Sequence, residues 1–296
     1  MRRAAVRMHV AGPKRLPRAS ILPFRAPGRR LEAAAGRQTN LAAALLALSV
    51  LADSGVEHYR GSFRNKAMFV PLAVSAATVA ASLLGVADNR PRRHPGRDAI
   101  YALAALAGVV GLGFHGYNVA KRPGRLCWHN LFYGAPVGAP AALILSGLLG
   151  RLAEKTRAGE PLFGLPPERL LAAASAVGLA GTVGEAGLLH FRGAFQNPAM
   201  VLPLTGPPVA AALLAATALV PAKPLARLAR LWLKITAGLG LAGVGFHAFG
   251  VSRAMGGWRN WRQNAIDGPP LPAPPSFTGL ALAGLAALSL LLEERE

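Results

Sequence analysis

The chain has 296 residues, of which 52% are apolar and only 16% charged, with 33 Lys and Arg against 13 Asp and Glu for a net charge of +20. Soluble proteins carry about 25% charged residues, so this balance excludes an ordinary soluble domain and points to an integral membrane protein. The positive charge reads as loop charge at helix ends rather than as a nucleic-acid surface, since no aromatic interleaving accompanies it.

Ten of the Lys and Arg precede residue 38. Residues 1–38 are expected to form a basic, disordered arm lying on anionic lipid at the cytoplasmic face. Apolar blocks follow at Leu41–Val56, Met68–Val86, Ala99–Val119 and Leu131–Gly150, and again at Leu170–Leu189, Met200–Val220, Leu231–Val251 and Phe277–Leu292. Their lengths approach the ~20 residues needed to cross a bilayer, and none alternates with period two. The fold class expected is an all-α integral membrane protein of eight transmembrane helices.

The blocks fall into two sets. His58-Tyr-Arg-Gly-Ser-Phe-Arg-Asn65-Lys-Ala-Met68-Phe-Val-Pro71-Leu72 recurs as His190-Phe-Arg-Gly-Ala-Phe-Gln-Asn197-Pro-Ala-Met200-Val-Leu-Pro203-Leu204, with nine of fifteen positions identical at an offset of 132. Gly111-Leu-Gly-Phe-His115 pairs with Gly243-Val-Gly-Phe-His247 at the same offset, and Asn130 pairs with Asn264 at 134. The organisation read from this is an arm (1–38), a four-helix repeat (39–150), a cytoplasmic linker (151–167), a second four-helix repeat (168–292) and a short tail (293–296). Four helices per copy make the repeats parallel. A cytoplasmic N-terminus and C-terminus leave 23 Lys and Arg on the cytoplasmic side and ten opposite. That asymmetry suits a bacterial-type inner membrane.

On this topology the polar motifs meet at the non-cytoplasmic face. Each copy supplies two histidines, an arginine, two asparagines and a carboxylate: His58, His115, Arg60, Asn65, Asn130 and Asp53 in the first, His190, His247, Arg192, Asn197, Asn264 and Glu185 in the second. Asp53 and Glu185 lie five residues before His58 and His190, about 7.5 Å deeper in a helix, and intramembrane acids carry a partner or a task. Imidazoles on separate helices suit a transition metal or haem, so His58 with His115, and His190 with His247, are candidate ligands. In general outline, two sets of four helices with paired histidines resemble membrane b-type cytochromes, which implies haem. The histidines here sit nearer helix ends, and no residue of that family is carried over.

Redox or metal handling at the duplicated site is therefore one expectation. A transporter or channel is the other, with Arg60 and Arg192 holding a small, anionic solute and Asp53 and Glu185 coupling it to protons. A third is an anchor for a periplasmic protein, docked on the Trp- and Pro-rich loop 252–276. The asparagines also suit turn closure and the arginines helix-end capping. Cys127 is the sole cysteine, so no disulfide forms within the chain.

Overall fold

The computed structural model describes residues 28–134 and 136–293. Among them there is no strand, and ten α-helices carry the chain: α1 (Arg29–Arg60), α2 (Val70–Ala87), α3 (Pro95–Ala120), α4 (Trp128–Tyr133), α5 (Gly138–Ala158), α6 (Pro167–Arg192), α7 (Gly206–Leu219), α8 (Lys223–Arg253), α9 (Trp261–Asp267) and α10 (Pro275–Glu293). Short 3-10 turns, Lys66–Phe69 and Pro198–Leu204, precede α2 and α7. Seven helical segments are long and apolar enough to cross a membrane. The eighth long helix, α5, carries Arg151, Glu154, Lys155 and Arg157 in its last eight residues.

The first helix begins at Arg29, ten residues before the stretch expected to start the bundle. Ala33, Ala35 and Gly36 are buried, and the side chain of Arg157 crosses Gly36, so tertiary packing extends the helix into the basic segment. The part of the arm before residue 28 lies outside the described residues. At the far end of the first half, α5 runs on to Ala158 and takes up eight residues expected to be linker. Gly159 then closes it in the left-handed conformation that favours glycine (φ 65°).

Helix neighbours follow one pattern twice. In the first half α1 packs on α2 and α5, and α3 on α2 and α5; in the second half α6 packs on α7 and α10, and α8 on α7 and α10. The seam between the halves is also paired, α1 against α10 and α5 against α6. Close approach is bought by small residues at matched places. A Cβ on Gly108 of α3 would sit 2.7–2.8 Å from the Ile144 nitrogen and the Pro140 carbonyl; one on Gly240 of α8 would sit 2.8 Å from the Thr278 nitrogen and the Pro274 carbonyl.

The interiors of the two halves differ. One large apolar cluster, including Leu46, Leu149, Leu171, Leu214, Leu233, Leu280 and Leu288, fills the second half and the seam. The first half has only a small cluster of its own, formed by Val50, Val74, Ala104 and Leu143. Around it lie buried small apolar residues, among them Ala47, Ala81 and Ala153, and buried polar ones, among them Asn40, Ser75, Thr78 and Ser82.

Candidate functional site

The ends of α1 and α6 are built alike. After Arg60 and Arg192 the chain turns through two residues in the left-handed region, Ser62 (φ 57°) and Phe63 (φ 45°) in one case and Ala194 (φ 54°) and Phe195 (φ 46°) in the other. Such residues cost of order 1–2 kcal/mol each and persist only where neighbours hold them. The holding contacts are the same: Phe63 N–H donates to the His58 carbonyl at 3.0 Å and Phe195 N–H to that of His190 at 3.1 Å. Asn65 and Asn197 then accept from Ala67 N–H and Ala199 N–H at 2.9 Å, capping the 3-10 turns.

All four histidines make one kind of bond. Nδ1 of His58 reaches the Met68 carbonyl and Nδ1 of His190 the Met200 carbonyl, each at 2.7 Å. Nδ1 of His247 reaches the Pro270 carbonyl at 2.7 Å, and Nδ1 of His115 reaches that of Pro136. A carbonyl only accepts, so Nδ1 carries the proton in each ring. Proline explains why three of these carbonyls need a side-chain donor. Pro71 and Pro203 stand three residues after Met68 and Met200, where a 3-10 turn would supply an N–H. Pro140 stands four residues after Pro136, where an α-helix would supply one. The imidazoles of His58, His190 and His115 replace the missing donors, whereas the Pro270 carbonyl also accepts the Ala273 N–H at 3.2 Å.

A double-mutant cycle checks this pairing. His58→Ala is expected to cost about 1–3 kcal/mol by leaving the Met68 carbonyl short of a donor. In a Pro71→Ala background, where residue 71 regains its N–H, the same change is expected to cost clearly less. Equal costs in both backgrounds would show that the proline does not create the need for the histidine.

The other motif residues are also engaged locally. Asn130 Nδ2 donates to the Pro123 and Arg125 carbonyls at 2.8 Å, and Asn264 Nδ2 to those of Met255 and Gly257 at 3.1 and 2.8 Å, tying each loop to its short helix. Arg60 pairs with Glu57 at 2.9 Å. Arg192 lies over the rings of Phe132 and Tyr133, 5.7 and 5.3 Å from their centroids. The short helices cross between halves: Phe132 of α4 meets Phe191 of α6, and Arg262 of α9 donates to the Tyr59 hydroxyl of α1. Among the described residues no three His, Cys, Asp or Glu side chains gather as a metal site requires.

Asp53 and Glu185 stand apart from this. They occupy matched positions, 132 apart, on α1 and α6. The Glu185 carboxylate lies where a side chain on residue 138 would otherwise be, so Gly138 makes its room at the start of α5. Neither acid has a hydrogen bond or basic partner among the described residues, although basic residues abound.

At the opposite end of the first half lies a cluster that the sequence reading counted only as loop charge. Arg97 of α3 donates from Nε to Glu154 Oε1 at 2.8 Å, from a terminal nitrogen to Oε2 at 3.1 Å, and to Asp88 at 3.0 Å. Glu154 also accepts from the His94 N–H at 2.7 Å. Arg157 donates to the Gly85 and Asp88 carbonyls at 2.5 and 2.6 Å, capping the C-terminus of α2 where carbonyls are unpaired and the helix dipole is negative. Asp98 holds Arg93 at 2.7 Å and Arg151 at 3.0 Å. Side-chain bonds to Arg90, then its backbone N–H and Arg97, hold the Asp88 carboxyl well below the usual carboxylate range against the opposing effect of burial.

The corresponding positions of the second half are Val220, Ala229, Leu288 and Leu291, opposite Asp88, Arg97, Glu154 and Arg157. That mismatch is visible in the sequence at offsets of 132 and 134 and is the available signal.

No family model, characterised protein or solved structure matches the chain.

Proposed function

We propose that the chain is an eight-span inner-membrane protein of two parallel four-helix repeats that passes protons or couples them to solute movement through Asp53 and Glu185. The observation carrying this reading is the pair itself: two carboxylates at matched positions of α1 and α6, each without a basic partner among the described residues. Intramembrane carboxylates are expensive and mark ion or proton pathways. The repeated turn geometry and helix-neighbour pattern support the duplication, and the Lys and Arg asymmetry supports cytoplasmic termini.

The histidines favour a structural part over metal ligation, since each donates Nδ1–H to a main-chain carbonyl and no three possible metal ligands gather among the described residues. Arg60 and Arg192 are occupied by Glu57 and by aromatic rings, which favours proton movement over anion capture.

The test is proton flux into proteoliposomes under an imposed pH gradient. Wild-type protein is expected to dissipate the gradient, and Asp53→Asn with Glu185→Gln to slow it by about tenfold or more, a barrier increase of at least ~1.4 kcal/mol. Flux unchanged by the double substitution would sink the assignment.

Sidedness has its own check. Cys127 is exposed and is the sole cysteine. On this topology a membrane-impermeant maleimide is expected to label it in intact spheroplasts. Labelling only after the membrane is opened would reverse the orientation.

A further inference from the structure

The short helices α4 and α9 match at an offset of 134, and each sits against the end of a long helix of the other half. What they bring there differs. On α4 the rings of Trp128, Phe132 and Tyr133 pack together, with centroids 5.8 Å apart for Trp128 and Phe132 and 4.7 Å for Phe132 and Tyr133. Phe132 is buried and meets Phe191 of α6 edge-on at 6.0 Å. Arg192 lies over the rings of Phe132 and Tyr133. On α9 the three matching positions hold Arg262, Ile266 and Asp267, and none is aromatic.

At the end of α1 a cleft of about 460 Å³ opens in the matching place, lined by Tyr59, Arg60, Ser62, Phe63 and Ile266. Small-molecule sites have volumes of about 300–1,000 Å³. One wall of the cleft is aromatic and braced. Phe63 stacks on Phe69 with centroids 4.4 Å apart and planes 8° from parallel, where the second half has Val201 in place of Phe69.

The polar groups at the cleft are donors. Arg262 lies over the Tyr59 ring and donates to its hydroxyl, which leaves the hydroxyl proton to be donated in turn. The Ser62 hydroxyl has no partner among the described residues. In the second half Tyr59, Ser62 and Arg262 are matched by Phe191, Ala194 and Trp128. Where rings of the protein fill the place, its surroundings carry no hydroxyl. Where those rings are replaced by Ile266 and Asp267, two hydroxyls and a guanidinium face the space. Arg60, the counterpart of Arg192, pairs with Glu57 there, so its charge is balanced.

We propose that this cleft binds a small, neutral, planar ring bearing carbonyl oxygens. The ring takes the place that Phe132 holds in the other half, against Tyr59 and Phe63 and beside Arg60, as Phe132 lies beside Arg192. Tyr59, Ser62 and Arg262 donate to its oxygens. The site stands apart from the proton reading of Asp53 and Glu185 and does not depend on it.

The experiment is equilibrium binding to the full-length protein in lipid nanodiscs, with protein-free nanodiscs as the blank. The probes are a benzoquinone bearing one isoprenyl unit, which enters from lipid, and nicotinamide, which enters from water. Saturable binding of at least one is expected below about 1 mM, and the probe that binds identifies the source. Toluene, a ring without oxygens, is expected to bind at least roughly tenfold more weakly. Ile266→Phe gives the cleft the ring that α4 carries and is expected to weaken binding by roughly tenfold or more. Tyr59→Phe with Ser62→Ala, again residues of the second half, is expected to weaken it about tenfold by removing two donors. Val177→Phe, which adds a ring at an exposed position of α6, leaves it unchanged. Failure of both probes to saturate overturns the proposal, as does wild-type affinity in Ile266→Phe. Toluene binding as tightly as the probes overturns the assigned ligand chemistry. Melting curves show that each variant is folded. Should Ile266→Phe not fold, Tyr59→Phe with Ser62→Ala decides, and unchanged affinity there overturns the site.

Discussion

Replacing Glu154 by alanine is expected to cost roughly 3–5 kcal/mol of stability, the penalty for stripping one partner from a buried ion pair. The Glu154 side chain is fully buried and that of Arg97 only 6% exposed. The substitution leaves the guanidinium with Asp88 alone and the His94 N–H without an acceptor. Removing both charges together is a different matter. Arg97→Ala with Glu154→Leu installs the residues that the second half carries at these places, and Asp88 keeps Arg90 at 2.9 Å. This pair of changes is expected to cost far less than Glu154→Ala, because a buried pair and a well-packed apolar replacement differ little. Denaturant titration in detergent compares the two. A double variant as unstable as the single one would mean the cluster does more than balance its own charges.

Acid acts on the same end of the molecule. Asp88 titrates lower when folded than when unfolded, so its contribution is complete above roughly pH 4, its unfolded value. The contribution is lost as the pH falls towards the depressed folded value.

Gly147→Ala is expected to destabilise by about 3 kcal/mol, the upper end for overpacking. A Cβ there would lie 2.5 Å from both the Ala105 nitrogen and the Tyr101 carbonyl oxygen of α3. Backbone cannot rotate out of the way, so α3 and α5 must part along their shared face. The second half supplies the comparison, since Ala281 occupies the matching place and is fully buried. Thermal unfolding of Gly147→Ala beside Ala281→Gly is the measurement. A variant that melts with the wild type would show that the α3–α5 contact yields easily.

Much of this architecture was legible in the residues. Seven of the eight apolar blocks lie, to within a residue, within a long helix or its leading 3-10 turn, because an uninterrupted apolar run near the bilayer length has few other solutions. Leu131–Gly150 instead begins in the short α4 and reaches α5 only at Gly138. Boundaries fared less well: α1 gains ten residues at its start because Gly36 and Ala35 pack beneath Arg157, a contact across 121 positions that no local pattern shows. The histidines were read as candidate ligands by residue type. Each is also seen to donate Nδ1–H to a main-chain carbonyl, and for His58, His115 and His190 a proline three or four residues past that carbonyl was legible beside it. The Arg97–Glu154 pair was missed because the rule that places basic residues at membrane faces treats every arginine as solvated. Asparagine spacing, by contrast, pointed correctly to turn closure at Asn65 and Asn197.

The seam between the halves has a consequence for the order of the chain. Helices α5 and α6 are joined covalently through residues 159–166, and α10 meets α1 in the matching arrangement without such a join. Gly28 lies beside the Glu293 carboxylate, with 3.6 Å separating that oxygen from the place a Cβ would take. The helical body is therefore a ring in all but one bond. Bridging 28 to 293 and opening the loop at 159–166 would begin the sequence with the second half and preserve every helix-to-helix contact.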